Sequence, residues 1–315
     1  MNASIVLSVV LGLGLLGVVA VLTRRTPRLS PGRVPAAGRR ADRKALETVA
    51  LGLRAVAEGR EHGTRPLPDV HAVLHSERRM TLLLAGADAP APAPWAADVS
   101  GKEWWVDPAN LRRAGNGSAG PTHPYSLTVT LGHHGGDRVL VDLSRLPGAI
   151  ALTGDDNDVL QLAQALINEI VSGPVGVLAV VVLVGSAAGP SVTDGLDTRS
   201  ARLHTAPTRG EALTRGDSAR PGADTGASAH RTLHFRTGGG GGAASTGTHA
   251  RRLFVVTAAQ FRDERWSDTP LRESDALLVL GYVPDADWRF EVNADGSLDT
   301  GRLGLPVDRH TAGSA

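Results

Sequence analysis

The chain contains no cysteine, which excludes disulfide bonds, thiolate metal sites and a cysteine nucleophile. Aromatic residues are scarce at 3%, so the hydrophobic core has to be built from leucine, valine and alanine. Lysine is nearly missing, because Lys44 and Lys102 are the only two in 315 residues. The net charge is only +1, so the protein as a whole has no electrostatic attraction for nucleic acid, and a nucleic-acid partner is not expected.

One long segment carries no charged side chain. Residues 5–22 have the sequence IVLSVVLGLGLLGVVAVL, and as a helix they would extend about 27 Å, enough to cross a hydrocarbon core. A cleaved signal peptide is one alternative, but no basic residue precedes the segment and no small-x-small site follows it. A buried core helix is another, although such helices are rarely apolar on every side. The sequence therefore predicts one transmembrane helix in contact with membrane lipid, including Ile5, Leu7, Leu11, Leu15 and Leu22.

Basic residues are concentrated directly after this segment, and Asp42 is the first acid in the chain. The positive-inside rule places such a flank in the cytoplasm. We therefore expect a single-pass cell-membrane protein with its N-terminus outside and its soluble domain cytoplasmic. This gives an anchor at residues 1–23 and a basic juxtamembrane linker at residues 24–41. The basic flank comprises Arg24, Arg25, Arg28, Arg33, Arg39 and Arg40.

The pattern after the linker predicts a helix-plus-hairpin subdomain at residues 42–94. Apolar side chains recur at a helical period in residues 42–61, and two apolar runs of strand length follow at 70–75 and 80–85. Three tryptophans come next, and we expect them to cover one edge of the core. They are Trp95, Trp104 and Trp105.

Residues 95–310 have the pattern of an α/β domain. Apolar runs of strand length surround an amphipathic helix at residues 158–171, which favours a mostly parallel sheet with flanking helices and hairpins. Residues 186–250 are rich in glycine, alanine, serine, threonine and arginine, and their shortage of apolar groups predicts a disordered low-complexity insertion, in which strand-like pieces at residues 201–204 and 232–235 could pair with the sheet. The predicted strands are residues 127–131, 139–143, 149–153, 177–184, 252–257, 276–280, 288–292 and 298–305.

One part of this domain resembles a known family. The segment LTVTLGHHGGDRVLVDLSRLPGAIALTGDDNDVLQLAQALINEI, within residues 125–184, resembles the region around the nucleotide loop of FtsK/SpoIIIE-type ATPases. In that family a short hairpin precedes a strand, a phosphate-binding loop and a helix. The resemblance implies that residues 153–158 stand where the loop would be and that residues 253–257 form a later core strand.

The residues at the loop position lack the chemistry that phosphate binding needs. A phosphate loop of the form GxxxxGK[ST] uses glycines to let backbone N–H groups surround the phosphates, a lysine for charge and a hydroxyl for magnesium. Here Gly154 is followed by Asp155, Asp156, Asn157 and Asp158. These carboxylates would repel a phosphate at the helix N-terminus, but they suit helix capping. We therefore expect a degenerate nucleotide-binding-like fold without a cofactor.

The C-terminal segment has a second resemblance. The sequence WRFEVNADGSLDTGRLGLPV, residues 288–307, is similar to the membrane-proximal region of large actinobacterial membrane regulators that carry a bacterial transcriptional activator domain. This resemblance implies a membrane-tethered accessory domain. The helical activator domain itself is not matched, and no helix-turn-helix pattern accompanies it, so a DNA-binding role is not transferred.

Other constellations give weaker signals. His133 and His134 could be metal ligands, but adjacent histidines at a turn are usually solvated. The acidic residues 155–158 could bind a cation, but they lack the spacing of a calcium loop. The segment GSAAG at residues 185–189 does not match the G-x-S-x-G pattern of serine hydrolases. No catalytic, metal or cofactor-binding residue is therefore predicted.

These observations favour a non-catalytic, membrane-tethered cytoplasmic scaffold or regulatory domain with an unidentified protein partner. One alternative is a nucleotide-binding ATPase or sensor with an atypical site. A second alternative is a membrane-bound regulator related to transcription, whose retention on DNA would fall steeply with salt.

Overall fold

A computed structural model describes residues 36–61, 66–114, 124–218 and 250–308. No helix among these residues is long and apolar enough to cross a membrane. The predicted span at residues 5–22 lies outside the described residues, and so do the first four arginines of the basic flank. Arg39 and Arg40 belong to a helix whose backbone is described from Ala36 onwards, so this helix begins within the predicted linker.

The described chain forms fourteen strands, all in one sheet, and six α-helices. The strands are β1 (Val70–His75), β2 (Met80–Leu84), β3 (Ala96–Ala97), β4 (Glu103–Val106), β5 (Thr128–His134), β6 (Asp137–Asp142), β7 (Ala149–Gly154), β8 (Ala179–Val184), β9 (Leu203–Ala206), β10 (Arg251–Thr257), β11 (Ala276–Leu280), β12 (Trp288–Val292), β13 (Ser297–Asp299) and β14 (Pro306–Asp308). The helices are α1 (Ala36–Glu61), α2 (Pro108–Ala114), α3 (Asp156–Ser172), α4 (Pro190–Thr193), α5 (Arg209–Ser218) and α6 (Ala258–Asp263).

The α/β class is confirmed, but the prediction of a mostly parallel sheet is wrong. The strand order is β3-β4-β2-β1-β6-β5-β14-β13-β12-β7-β11-β10-β8-β9. Strands β12, β7, β11, β10, β8 and β9 pair in parallel, whereas the strands from β3 to β12 in this order pair antiparallel. The sheet is therefore mixed. The antiparallel strands that precede β7 in sequence and the parallel strands belong to one sheet because β14, the last strand, pairs with β5.

The antiparallel half is covered by α1. Leu46, Val49, Leu53 and Val56 recur at the spacing of one helix face, and all four are buried against β1 and β2. Of the three tryptophans, Trp95 and Trp104 are buried in this cluster, but the Trp105 side chain is 41% exposed and lies under the Arg79 guanidinium.

The parallel half is covered on both faces, as its apolar strands require. All six residues of β8 are buried, as are the five of β11. On one face α3 contributes Val159, Leu162, Leu166 and Ile170, the inward residues that its period predicted. On the other face the core includes Ala212 of α5, Phe261 of α6 and Trp266.

The prediction of a disordered insertion at residues 186–250 is wrong for its first half. Residues 186–218 contain α4, β9 and α5, and β9 extends the parallel block by pairing with β8. A few apolar side chains are enough to hold this segment on the sheet, because Val192, Leu203, Ala206 and Ala212 are all buried. Residues 219–249 lie outside the described residues.

Candidate functional site

The carboxyl ends of the parallel strands are the first place to look for a site. In open α/β sheets, ligands bind outside these strand ends, where neighbouring connections leave in opposite directions. Here β7 lies between β11 and β12, and the chain passes through α3 to β8. The residues between β7 and α3 are those that the sequence places at the position of a phosphate loop.

The connection between β7 and α3 is too short to surround a phosphate. Asp155 alone separates Gly154, the last residue of β7, from Asp156, the first of α3. Gly154 has φ +132°, and a Cβ there would lie 2.5 Å from the carbonyl oxygen of Val292 on β12. The glycine is therefore explained by the close approach of two backbones rather than by a bound ligand.

The N-terminus of α3 is occupied by its own chain. The Oδ1 atom of Asp155 accepts a hydrogen bond from the Asn157 amide at 2.9 Å, which caps the helix. Asp156 and Asp158 add acidic charge to the first turn, where they interact favourably with the helix dipole. Asp155 and Asp156 are exposed, so an approaching anion would meet carboxylates before it reached a free N–H group.

The neighbouring strand ends are also closed by their own side chains. Ser186 Oγ and Thr257 Oγ1, at the ends of β8 and β10, are 2.9 Å apart. Gly185 has φ +50°, and a Cβ there would lie 2.2 Å from the Gln260 amide. Gln260 in turn donates from Nε2 to Glu264 Oε1 at 2.8 Å. Because β10 ends at Thr257 rather than at an acid, it offers no carboxylate to hold magnesium.

The two histidines that the sequence singled out lie in the β5–β6 hairpin beside an arginine. His133 and His134 end β5 and pair across the hairpin with Arg138 and Asp137. Burial lowers the pKa of His133, and the neighbouring Arg138 lowers it further. Within the part of the chain that the structure describes, no three His, Asp or Glu side chains are grouped closely enough to hold a metal ion.

A polar cluster that the sequence did not reveal lies between α3 and β5. Glu169 Oε1 accepts hydrogen bonds from the Thr130 amide at 3.0 Å and the Thr130 hydroxyl at 2.9 Å. Arg138 donates to Thr130 and forms an ion pair with Asp42 of α1. Burial raises the pKa of Glu169 to about 7, although the Thr130 hydrogen bonds and Arg138 oppose this rise. A glutamate within an amphipathic helix carries no sequence signal that its carboxyl group is buried against a strand.

No protein-family model, curated protein or solved structure matches the chain. The resemblances drawn from residues 125–184 and 288–307 therefore stay predictions.

Proposed function

We propose that the chain is a non-catalytic, single-pass membrane protein whose cytoplasmic α/β domain is a scaffold or regulatory domain on a degenerate nucleotide-binding-like core. The observation that carries this proposal is the closed connection between β7 and α3. A phosphate loop needs several backbone N–H groups free to point at the ligand. Here one linking residue, Asp155, spans the gap and its carboxylate takes the Asn157 amide for itself.

The order of elements supports the nucleotide-binding-like part of the proposal. The hairpin β5–β6 precedes β7, and β7 is followed at its carboxyl end by α3 and then by the buried strand β8. This is the order that the resemblance to FtsK/SpoIIIE-type ATPases implies. The core would then retain the packing role of these elements, with Val159, Leu162 and Leu166 of α3 holding the strands, after the phosphate-binding residues were replaced.

The membrane part of the proposal is supported by the sequence. Residues 5–22 are long and apolar enough to span a bilayer, and six arginines follow them before Asp42. A reporter fused after Ala315 tests the orientation. A reporter that is active only in the cytoplasm should be active, and activity only from a cell-surface reporter would overturn the orientation.

Calorimetry with full-length protein in detergent tests the absence of nucleotide binding. Titration of ATP with magnesium present should release no binding heat, because the N-terminus of α3 holds three carboxylates and no lysine. The matched variant Asp155→Asn retains a capping oxygen and should likewise release no binding heat. Binding of ATP at micromolar concentration would contradict the proposal. If Asp155→Asn or Asp156→Asn then abolished that binding, the atypical nucleotide sensor would be the better account.

A further inference from the structure

A large cleft opens at the other end of the parallel strands, away from the β7–α3 connection. It has a volume of about 1000 Å³ and lies at the amino ends of β7, β10, β11 and β12, where Ala149, Arg251 and Asp287 line it. Its partly exposed apolar lining includes Leu67 and Leu271, whereas Phe261 and Trp266, which also border it, are buried in the core. A concave site that combines an apolar wall with a few polar groups is the usual form of a small-molecule site.

Of the three arginines that line this cleft, Arg145 and Arg251 are partly buried and Arg272 is exposed. Arg251 Nη1 donates to Ser144 Oγ at 2.7 Å. Arg145 makes no hydrogen bond to any described residue; its Nε is buried without a partner, and its guanidinium lies 5.5 Å from the centroid of the Tyr125 ring. Burial lowers the pKa of Arg251; Asp142 opposes this effect and Arg145 adds to it, so the two guanidinium groups repel each other.

The nearby acids do not neutralise this pair. Asp142 is fully buried; its Oδ1 accepts from the Ser144 amide and hydroxyl, and its Oδ2 has no partner among the described residues. Burial raises the pKa of Asp142, although Arg251, the Ser144 hydrogen bonds and Arg145 oppose this rise. Asp275 is committed to a two-pronged ion pair with Arg252. Among the described residues, Asp142 and Asp275 both act electrostatically on Arg251, but neither acid forms an ion pair with Arg145 or Arg251.

The remaining acids of the cleft are exposed at its rim. They are Asp69, Glu273, Asp285 and Asp287. Because these acids face water, they interact more weakly with the partly buried arginines than buried carboxylates would. They do disfavour a ligand that carries many negative charges, such as a nucleoside triphosphate or a nucleic acid. A small ligand with one anionic group is compatible both with the two partly buried arginines and with the acids at the rim.

We propose that this cleft binds a small organic anion with a single carboxylate or phosphate group, which Arg145 and Arg251 hold, and with an apolar part that packs against Leu67 and Leu271. A planar guanidinium donates two parallel hydrogen bonds to either anionic group, and the Nε atom of Arg145 has no partner within the described chain. This site is separate from the β7–α3 connection and does not depend on the function proposed above.

Three related probes distinguish the possible ligands. Benzoate, phenyl phosphate and uncharged benzamide are titrated by calorimetry into the full-length protein in detergent. Benzoate or phenyl phosphate should bind, and whichever of the two binds more tightly identifies the anionic group. Benzamide should not bind, because it lacks the charge. Absence of heat from both anions at millimolar concentration, or equal binding of benzamide, would overturn the proposal.

Variants locate the site. Arg145→Gln should weaken anion binding roughly 10- to 100-fold, since hydrogen bonds to a charged group are lost. The matched control is Arg79→Gln, because Arg79 also lies over an aromatic ring, 5.2 Å from the centroid of Trp105, but outside the cleft. The Arg79→Gln variant should bind the anion as tightly as the wild type does. Arg145→Lys keeps the charge without the planar fork, so it should bind more weakly than wild type even if Arg145→Gln does not fold. Unchanged affinity in either Arg145 variant contradicts the assignment.

Discussion

Glu169 gives the sharpest prediction about stability. Its carboxyl group lies between α3 and β5 and accepts both Thr130 hydrogen bonds, while Arg138 and Asp42 are the charged groups nearest to it. Burial raises its pKa from 4.5 to about 7, so the native state holds the proton more tightly than the unfolded chain does. This contribution to stability is fully present below about pH 4.5 and is lost as the pH rises to about 7.

The shift sets the size of the effect. Each pKa unit is worth about 1.4 kcal/mol, so wild-type stability should fall by about 2 to 3 kcal/mol between pH 5 and pH 8 through this residue alone. Glu169→Gln resembles the protonated form, because its amide oxygen can still accept from Thr130. The difference in the free energy of unfolding between the variant and the wild type should therefore increase by about 2 to 3 kcal/mol, in favour of the variant, from pH 5 to pH 8.

Urea denaturation followed by tryptophan fluorescence measures this difference, with full-length protein in detergent at several pH values. Glu77→Gln, at the exposed β1–β2 turn, is the control for the loss of one carboxyl group. If the difference between Glu169→Gln and wild type does not change with pH, Glu169 has no raised pKa in the folded protein. The reasoning from its burial would then be refuted.

Three further substitutions test the packing that closes the strand ends and the sheet. Asp155→Ala removes the cap of α3 and should lower the free energy of unfolding by about 1 kcal/mol in urea, whereas Asp155→Asn should stay within a few tenths. Arg252→Met leaves the buried carboxylate of Asp275 without its partner and should cost about 3 to 5 kcal/mol, most of which the added change Asp275→Leu should restore in the same denaturation assay. Gly154→Ala brings a methyl group against the Val292 carbonyl at a positive φ, and we expect a melting temperature several degrees lower, with a loss of roughly 1 to 3 kcal/mol; an unchanged melting temperature would contradict this contact.

Much of the local structure followed from the sequence because local patterns determine it. The apolar period of α3 identified its inward residues, and the apolar runs gave β8 and β11. The first turn of α3 was also interpreted correctly as a capped terminus, since Asp155 does cap it. Such features depend on neighbours within about four residues, which a single sequence shows directly.

The strand neighbours could not be obtained in this way. Whether the sheet is parallel or mixed depends on contacts between distant segments, such as Asp308 of β14 beside His133 of β5. Within residues 186–218, the piece at 201–204 was recognised as strand-like, but the helices were missed because only a few small or isolated apolar residues, such as Val192 and Ala212, hold them. Composition averages over such residues and gives them little weight.

The cleft was missed for a related reason. Arg145 and Arg251 are far apart in the sequence, and arginine is common throughout the chain. Only the fold shows that both line the same cleft, where Arg251 donates to Ser144 and the Arg145 Nε has no partner among the described residues. The burial of Asp142 and of Glu169 is likewise a property of the folded sheet and not of the residues beside them in the chain.

The amide resonance of Asn157 tests the central claim most directly, because this N–H group would have to face a nucleotide phosphate but instead donates to Asp155. Selective ¹⁵N labelling of asparagine leaves few signals to assign, since the chain has six asparagines. With millimolar magnesium and ATP added to the full-length protein, the Asn157 resonance should not move. A saturable shift of that resonance that Asp155→Asn altered would contradict the account, because it would show that a phosphate reaches the N-terminus of α3.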